Sequence, residues 1–339
     1  MSAVSSSNCL LKFLVNSLKV IVSGILALIV LSIGCFFYYK LLSLHTDQDN
    51  VTDCRYDANA FYSLGTEGFA CGHTNNEGYV NVGNYIPEMN IEVLIMGSSH
   101  MEALNVMQKN SSASILDSKY GMRVYNIAIS GQNFATCASS LKAAVKKYKP
   151  SRFVVIEVAS ISLAEKNAVD VIYNRIPRRP AYDKGLLSTL RSIWYLRLMY
   201  KQYIAHSFSQ FFRPNMQSKG VAASPETLSK MLGNLNEAVS FSGAKLIIAY
   251  HPSISLNKDG TLEINDKHEN VKQFSDLCAE NGIYFLNMAE RFLSEYEKSY
   301  TLPYGFINTS VGKGHMNADG HRMFADEIYA LIKRIEARS

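Results

Sequence analysis

Two stretches of this sequence carry residues that could act together in acyl chemistry. The first is VLIMGSSHMEAL, residues 93–104, in which four apolar residues run directly into Gly-Ser-Ser-His. A serine hydroxyl is a weak nucleophile near neutral pH, so it needs a neighbouring base. The second stretch, GKGHMNADGHRMFA, supplies a candidate base in His315, just ahead of a long helix-like segment. Ser99 and His315 are therefore the candidate nucleophile and general base.

Apolar strands and helices alternate from residue 91 to the C-terminus, and this alternation must position the two stretches. The strand-like segments are 91–97, 123–130, 152–159, 244–251 and 283–287, and the helix-like segments are 134–149, 225–243, 270–282 and 317–337. Such alternation predicts an α/β fold: a three-layer α/β/α sandwich with a mostly parallel five-stranded sheet of the flavodoxin-like type.

Ligands bind beyond the carboxyl ends of the strands in such a sheet. This rule selects the strand ends at residues 97–100, 130–133, 159–160 and 251–252. We expect four side chains at or beside these ends to line a site, and they are Ser98, His100, Glu157 and His251. For the two histidines the alternative is a structural role in the core.

The order and placement of three motifs resemble the SGNH/GDSL hydrolase superfamily, over roughly residues 92–336. Gly-Ser-Ser-His follows the first strand, and Ser-Gly-Gln-Asn, residues 130–133, follows the second. His-x-Asn-x-x-Gly-His, residues 315–321, precedes the last helix. Each motif alone is weak, but three in this order on these elements are much less expected by chance.

The resemblance implies a role for each matching residue. Ser99 would be the nucleophile and His315 the general base, with no metal and no cofactor. The backbone amides of Ser99 and Gly131 would form the oxyanion hole. Gly320 and His321 match the common tail of the last motif.

Three positions depart from the family pattern. Ser98 stands where the family has an aspartate before its serine. Residues 159–162, Ala-Ser-Ile-Ser, lack the asparagine that completes the oxyanion hole, and Asn308 and Asn133 are candidates to replace it. Gly312 stands where the family has an aspartate three residues before its histidine.

His315 therefore needs another group to orient its ring. Glu157, Asp319 and a backbone carbonyl are candidates, and the remaining alternative is that nothing orients it. Loss of the orienting acid lowers the rate by several orders of magnitude without abolishing the chemistry. The departures also keep open a function of another class, a catalytically inactive protein that binds glycan or supports an assembly.

The first forty residues predict a membrane anchor. Residues 20–39 carry no charged side chain, and a helix of that length reaches across roughly 30 Å of hydrocarbon. We find no convincing cleavage site, so an uncleaved signal anchor is expected, with a buried core helix as the alternative. Lys12 and Lys19 precede the segment without any acid, so the positive-inside rule places the N-terminus in the cytoplasm and residues 41–339 outside the cell membrane.

These observations divide the chain into a cytoplasmic N-terminus (1–19), a single-pass transmembrane signal anchor (20–39), a juxtamembrane segment (40–90) and a catalytic domain (91–339). Within the domain, a basic and aromatic-rich stretch at about 160–224 breaks the alternation and predicts a helical insertion. The insertion is either a solvated basic face or a surface that contacts membrane phosphates, an anionic glycan or a carrier.

Cysteine usage and charge exclude several classes of site and partner. The chain has 6 cysteines, and no Cys/His cluster has zinc-site spacing, so no metal site is expected. Cys54 and Cys71 lie close together in the exported part and are disulfide candidates in an oxidising compartment. The net charge of +5 is mild and no nucleic-acid motif is present, so nucleic acid is not an expected partner.

The membrane anchor and the first motif indicate what the serine acts on. A single N-terminal anchor, an exported domain and a Gly-Ser-Ser-His motif resemble membrane-anchored bacterial proteins that acylate envelope polymers, such as those of teichoic acid alanylation and exopolysaccharide acetylation. The resemblance implies an O-acyltransferase, chiefly O-acetyl, for an extracytoplasmic cell-envelope or capsular polysaccharide, acting through a serine acyl-enzyme. A carbohydrate O-acetyl esterase of the same fold is the alternative.

The resemblance also implies a partner protein. Proteins of this kind commonly work beside a multi-spanning membrane acyltransferase that exports the acyl group. One membrane span could not carry an acyl donor across the bilayer, so we expect such a partner to supply the donor.

Overall fold

The computed structural model describes residues 3–40, 42, 44–47, 51–81, 83–173, 175, 221–265 and 268–338. These residues fall into two compact units, residues 3–40 and the described residues from 42 onward. Of the predicted helical insertion at about 160–224, residue 174 and residues 176–220 lie outside the described part. The predicted domain limits stay predictions.

Strands and helices are numbered along the described residues. The strands are β1 (Tyr39–Lys40), β2 (Leu44–Thr46), β3 (Cys54–Tyr56), β4 (Phe61–Leu64), β5 (Ala70–His73), β6 (Val93–Met96), β7 (Val124–Asn126), β8 (Phe153–Val158), β9 (Lys245–Tyr250), β10 (Ile254–Leu256), β11 (Leu262–Ile264) and β12 (Tyr284–Asn287). The helices are α1 (Ala3–Tyr38), α2 (Ser99–Glu102), α3 (Ser112–Tyr120), α4 (Phe134–Tyr148), α5 (Glu165–Ile172), α6 (Pro225–Ser240), α7 (His268–Glu280), α8 (Ala289–Ser299) and α9 (Ala318–Glu336).

The N-terminal unit is the long helix α1. Its segment Lys12–Tyr38, of 27 residues, is long and apolar enough to cross a membrane. At 1.5 Å per residue it measures about 40 Å, more than the hydrocarbon core of a bilayer. Its side chains are mostly exposed, unlike those of a core helix. A helix of this kind serves either as a membrane span or as a signal sequence, and the predicted apolar helix is thus present.

The larger unit is built on a five-stranded sheet in the order β12-β9-β8-β6-β7, with every neighbouring pair parallel. Counted along the chain within this sheet, the order is 2-1-3-4-5, which is the flavodoxin-like arrangement. The strand order reverses between β6 and β8. Ligand sites of such sheets lie outside the carboxyl ends of the strands at this reversal point.

Helices cover both faces of the sheet. Successive side chains of a strand point to opposite faces. Leu94 and Met96 of β6 therefore join a core with α4, α6 and α7, whereas Val93 and Ile95 join a core with α3, α8 and α9. The predicted three-layer α/β/α sandwich with a parallel five-stranded sheet is confirmed.

Residues 44–73 form short antiparallel pairs that the sequence pattern does not predict. Strand β2 pairs with β3, and β4 pairs with β5. Each has only three or four residues, too few for a clear alternation of apolar and polar side chains. The predicted Cys54–Cys71 disulfide is wrong for this structure: Cys54 is buried in β3, whereas Cys71 is exposed on β5 of a different sheet.

Candidate active site

The Gly-Ser-Ser-His motif forms the turn from β6 into α2. Ser98 is the N-cap of α2, and its Oγ accepts the N–H of His100 at 3.3 Å. Glu157, near the end of the adjacent strand β8, accepts the N–H of Ser98 at 2.6 Å and its hydroxyl at 3.2 Å. A Cβ on residue Gly97 would lie 2.5 Å from that carboxylate, so only glycine fits. The neighbouring strand thus fixes the turn that presents Ser99.

The structure brings the predicted nucleophile and base together. Ser99 Oγ lies 3.0 Å from Nε2 of His315. On the far side of the ring, Nδ1 lies 2.7 Å from Oε2 of Glu67, and Oε1 of Glu67 accepts the backbone N–H of His315 at 2.8 Å. Because the carboxylate accepts Nδ1–H, the neutral ring presents an unprotonated Nε2 to Ser99, as a general base requires.

The charge state of Glu67 suits this position. Burial raises the pKa of its carboxyl group, but the hydrogen bonds from the ring and backbone of His315 outweigh that effect and lower the pKa below its ordinary value. Glu67 is therefore a carboxylate at neutral pH. It can hold the ring of His315 in one orientation and stabilise the imidazolium that forms when the ring takes a proton.

Glu67 is not predicted from the sequence, and in the structure the two acids that are predicted candidates, Glu157 and Asp319, bind other partners. Glu157 is bonded to Ser98 and His251, and Asp319 pairs with Arg322 on its own helix at 3.3 Å. Glu67 comes from the connection between β4 and β5, 248 residues before His315. No local pattern marks it.

The rest of the last motif is structural. Asn317 caps α9 by accepting the N–H of Gly320 at 2.9 Å, and Gly320 itself packs against a backbone carbonyl that would collide with a Cβ. His321 is buried, and its Nδ1 lies 2.9 Å from Oγ of Ser112 on α3. These contacts dock the start of α9, and with it the loop that carries His315.

Both asparagines suggested for the oxyanion hole make hydrogen bonds to neighbouring backbone. The amide nitrogen of Asn308 donates to the carbonyls of Gly65 and Gly68 at 2.8 and 3.0 Å, so this side chain holds the loop that carries Glu67. Asn133 is the N-cap of α4, where its side-chain oxygen accepts a backbone N–H at 3.0 Å. Both side chains thus shape the chain around the site, Asn308 through its amide nitrogen and Asn133 through its oxygen.

The two backbone amides suggested for the oxyanion hole lie on turns next to the sheet. Gly131 has a φ of 84°, a left-handed conformation that glycine adopts without strain. Its neighbour Ser130 hydrogen-bonds the fully buried carboxyl group of Glu102 in α2. Within the described part of the chain, the N–H groups of Ser99 and Gly131 bond to no protein acceptor.

A second, fully buried acid–histidine pair lies behind the nucleophile. Nε2 of His251 is 2.5 Å from Oε1 of Glu157, and their side chains are 1% and 0% exposed. On its other edge, Nδ1 of His251 lies 2.7 Å from the hydroxyl of Tyr304. Burial raises the pKa of Glu157, but the charge and hydrogen bond of His251 outweigh it and lower the pKa to about 2.

We expect the Glu157→Gln variant to lower the free energy of unfolding by about 3 kcal/mol, because a neutral amide loses the attraction that lowers the pKa of the buried Glu157 carboxyl group. The folded-state pKa of Glu157 lies below its ordinary value of 4.5. Its contribution is therefore complete above about pH 4.5 and is lost as the pH falls toward 2. Urea unfolding of the full chain in detergent at pH 7 and pH 3 measures both effects, and the gap between variant and parent should shrink at pH 3.

The control is Asp276→Asn, which breaks an exposed pair with Lys272. It should cost less than about 0.5 kcal/mol, since exposed ion pairs contribute little. Equal stability of Glu157→Gln and the parent at pH 7 would show that the buried pair does not stabilise the domain.

Two adjoining cavities open at this edge of the sheet. The smaller, of about 180 Å³, is lined by His100, His251, Tyr304 and Gly314, among others. The larger, of about 500 Å³, shares Ala159 and Ser253 with it. Among the described residues, no group of three or more His, Cys, Asp or Glu is placed to hold a metal ion. Of the four residues expected to line a site, His100 and His251 line the smaller cavity. Ser98 and Glu157 are not among its lining residues, but they join this group through the contacts of Glu157 with Ser98 and His251.

No family model and no curated protein sequence matches this chain. Matching solved structures include an acetyl xylan esterase (14% identity, 71% of this chain, 99% of that chain, TM-score 0.42). Another is a member of the lipolytic G-D-S-L family from Veillonella parvula (13% identity, 72% of this chain, 99% of that chain, TM-score 0.40). A third is an α/β hydrolase from the Lake Arreo metagenome (15% identity, 73% of this chain, 98% of that chain, TM-score 0.42). These likenesses are distant and assign no activity.

Proposed function

We propose that the protein is a membrane-anchored acyltransferase of the SGNH type, which transfers an acyl group, chiefly acetyl, to hydroxyls of an extracytoplasmic cell-envelope or capsular polysaccharide. The observation that carries the proposal is the hydrogen-bonded chain of Glu67, His315 and Ser99 beyond the carboxyl end of β6. An acid, a histidine and a serine linked in this order are the groups that acyl transfer through a serine requires.

The reaction proceeds in two halves. Ser99 Oγ attacks the donor carbonyl while Nε2 of His315 takes its proton, and the amide N–H groups of Ser99 and Gly131 bind the oxyanion. The leaving group then departs with the proton from His315 and leaves an ester on Ser99. In the second half, His315 deprotonates an acceptor hydroxyl, which attacks the ester carbonyl. Collapse of this intermediate releases the acylated acceptor, and His315 returns its proton to Ser99.

The two cavities support a reaction between two bound partners. The smaller, beside His100 and Gly314, has room for a short acyl group. The larger combines hydroxyl and carboxamide side chains with an apolar floor, a mixture suited to the hydroxyls and ring faces of an uncharged sugar. Its polar lining includes Ser160, Ser162, Asn265, Asn270 and Gln273, and its floor includes Leu228 and Phe274.

The apolar segment Lys12–Tyr38 supports attachment to the cell membrane, with the N-terminus in the cytoplasm and the larger unit outside. The one candidate span among the described residues offers no path for an acyl donor through the bilayer. We therefore expect a multi-spanning membrane acyltransferase to deliver the acyl group to Ser99.

One observation favours an esterase that removes such groups. The side chain of His315 is 33% exposed, so water can reach the base and compete for the acyl-enzyme. The same residues would then perform hydrolysis, with water in place of the sugar hydroxyl.

The test begins with intact-mass analysis of the full chain, in detergent, after treatment with a fluorophosphonate. We expect a single adduct on the parent and none on Ser99→Ala or His315→Ala. An unlabelled parent would instead favour a protein that binds glycan without acyl chemistry. To separate transfer from hydrolysis, the parent is then given 4-nitrophenyl acetate with a neutral oligosaccharide such as chitotriose. O-acetylated chitotriose supports transfer, whereas release of free acetate alone supports the esterase.

A further inference from the structure

The oxyanion hole proposed above has two backbone donors. Residues 159–162 contain no asparagine, the amide nitrogen of Asn308 donates to two backbone carbonyls, and the side-chain oxygen of Asn133 caps α4. Each N–H group aimed at a developing oxyanion contributes about 10²- to 10³-fold in rate, so a missing donor has a large effect. Another N–H group beside Ser99 can supply it.

His100, the residue after the nucleophile, carries an N–H group of this kind. Its Nδ1 accepts the backbone N–H of Met316 at 3.2 Å. A ring nitrogen that accepts an N–H carries no proton, so the proton of the neutral ring is on Nε2. Among the described residues, Nε2 of His100 has no hydrogen-bond acceptor.

The ring of His100 also lies in the right place. It lines the smaller cavity together with Gly314, the neighbour of His315. Its centroid is 5.4 Å from that of His315, whose Nε2 bonds Ser99 Oγ. An acyl group bound in this cavity therefore meets the edge or face of the His100 ring.

Two independent features keep the ring neutral. The contact from Met316 would become repulsive if Nδ1 were protonated. Burial and the charge of His251 lower the pKa of His100 to about 3. A neutral imidazole of this kind can polarise a carbonyl by hydrogen bonding without exchanging a proton with the substrate.

We propose that His100 is a catalytic residue of this site, whose Nε2–H donates a third hydrogen bond to the oxyanion formed when Ser99 attacks an acyl carbonyl. The inference rests on the proposed acyl chemistry of Ser99. No proton is transferred in this step: Nε2 keeps its hydrogen while the substrate oxygen gains and then loses negative charge. His100 would thus take the place of the absent asparagine.

Two substitutions separate this role from a structural one. In His100→Asn, the side-chain oxygen replaces Nδ1 and keeps the contact with Met316, but no group replaces the donor. In His100→Gln, the amide nitrogen reaches the position of Nε2 and replaces the donor, while the contact with Met316 is lost. The catalytic proposal and a structural role therefore predict opposite orders of activity.

The measurements are hydrolysis of 4-nitrophenyl acetate and inhibition by phenylboronic acid, which forms a tetrahedral adduct with an active serine. Both use the full chain in detergent. We expect His100→Asn to lower kcat by about 10²-fold, with KM nearly unchanged, and to weaken boronate binding by a similar factor. His100→Gln should recover at least a tenth of the parent's kcat. The melting temperature of His100→Asn should stay close to that of the parent.

The inference is overturned if His100→Asn matches the parent in kcat and boronate binding, or if His100→Gln is the more impaired variant. A failure of the proposed acyl chemistry looks different. In that case the parent itself neither turns over the ester nor binds the boronate.

Discussion

The Ser99→Ala variant is expected to turn over 4-nitrophenyl acetate about 10⁴- to 10⁶-fold more slowly than the parent, because no acyl-enzyme can form. His315→Ala should lose a similar factor, since Ser99 without its base, 3.0 Å away, is an ordinary alcohol. The double variant should be little worse than either single variant, because residues that act as one unit have non-additive effects. Steady-state assays of ester hydrolysis, with the full chain in detergent, measure the rates of all three variants.

The matched control is Ser98→Ala, the other serine of the motif. Ser98 caps α2 and donates its hydroxyl to Glu157, so its loss loosens the turn without removing the nucleophile. A lost cap lowers the free energy of unfolding by about 1 kcal/mol, which leaves the domain folded, so Ser98→Ala should stay active. If Ser98→Ala were inactive and Ser99→Ala active, the assignment of the nucleophile would be wrong.

The sheet and four of its helices could be predicted from the sequence because their apolar periodicity is strong, whereas α3 and α8 were not among the predicted helices. The predicted helix 134–149 is α4, Phe134–Tyr148, and the predicted strand 152–159 is β8, Phe153–Val158. Placement of the strand ends at one edge of the sheet then follows from parallel topology. Ser99 could be placed at that edge for the same reason.

The buried Glu157–His251 pair was also accessible to physical reasoning. A carboxylate within an otherwise apolar strand must find a partner, because an unpaired buried charge is very costly. Strands β8 and β9 are neighbours, with Val158 opposite Tyr250, so the next residue, His251, is within reach. The sequence predicts that both residues lie near strand ends, but their pairing was not among the predictions.

The role of His100 lies beyond sequence patterns for a different reason. Which ring nitrogen carries the proton depends on the backbone N–H of Met316, which lies 216 residues away in the chain. A contact of this kind is set by the packing of the loop before α9 against α2. Periodicity and motif spacing hold no information about it.

Glu67 marks the limit of motif-based prediction. In the SGNH/GDSL superfamily, which the motifs resemble, the acid lies three residues before the histidine. Here that position is Gly312, with a φ of 78° that favours glycine. The acid, Glu67, comes instead from a loop of irregular sequence. Asn308, which lies 241 residues after Glu67 in the chain, holds this loop in place by hydrogen bonds to Gly65 and Gly68. Only the folded chain brings these segments together.

We expect Glu67→Gln to lower kcat by about 10³- to 10⁴-fold with little change in KM. A neutral amide can still accept the backbone N–H of His315, so the loop should keep its place. It no longer enforces the Nδ1–H tautomer, however, and cannot stabilise the imidazolium. Ester hydrolysis and the rate of fluorophosphonate labelling measure the loss, and labelling should be slowed but not abolished because Ser99 and the backbone amides remain.

The control for Glu67→Gln is Asp319→Asn, which removes a nearby acid in the first turn of α9 that is paired with Arg322 rather than with His315. It should retain the parent's kcat and rate of labelling. Unchanged activity in Glu67→Gln would mean that His315 works without an orienting acid, and that the contact of 2.7 Å only anchors the loop. A loss confined to Glu67→Gln would instead establish that a loop outside the α/β sandwich completes the catalytic group.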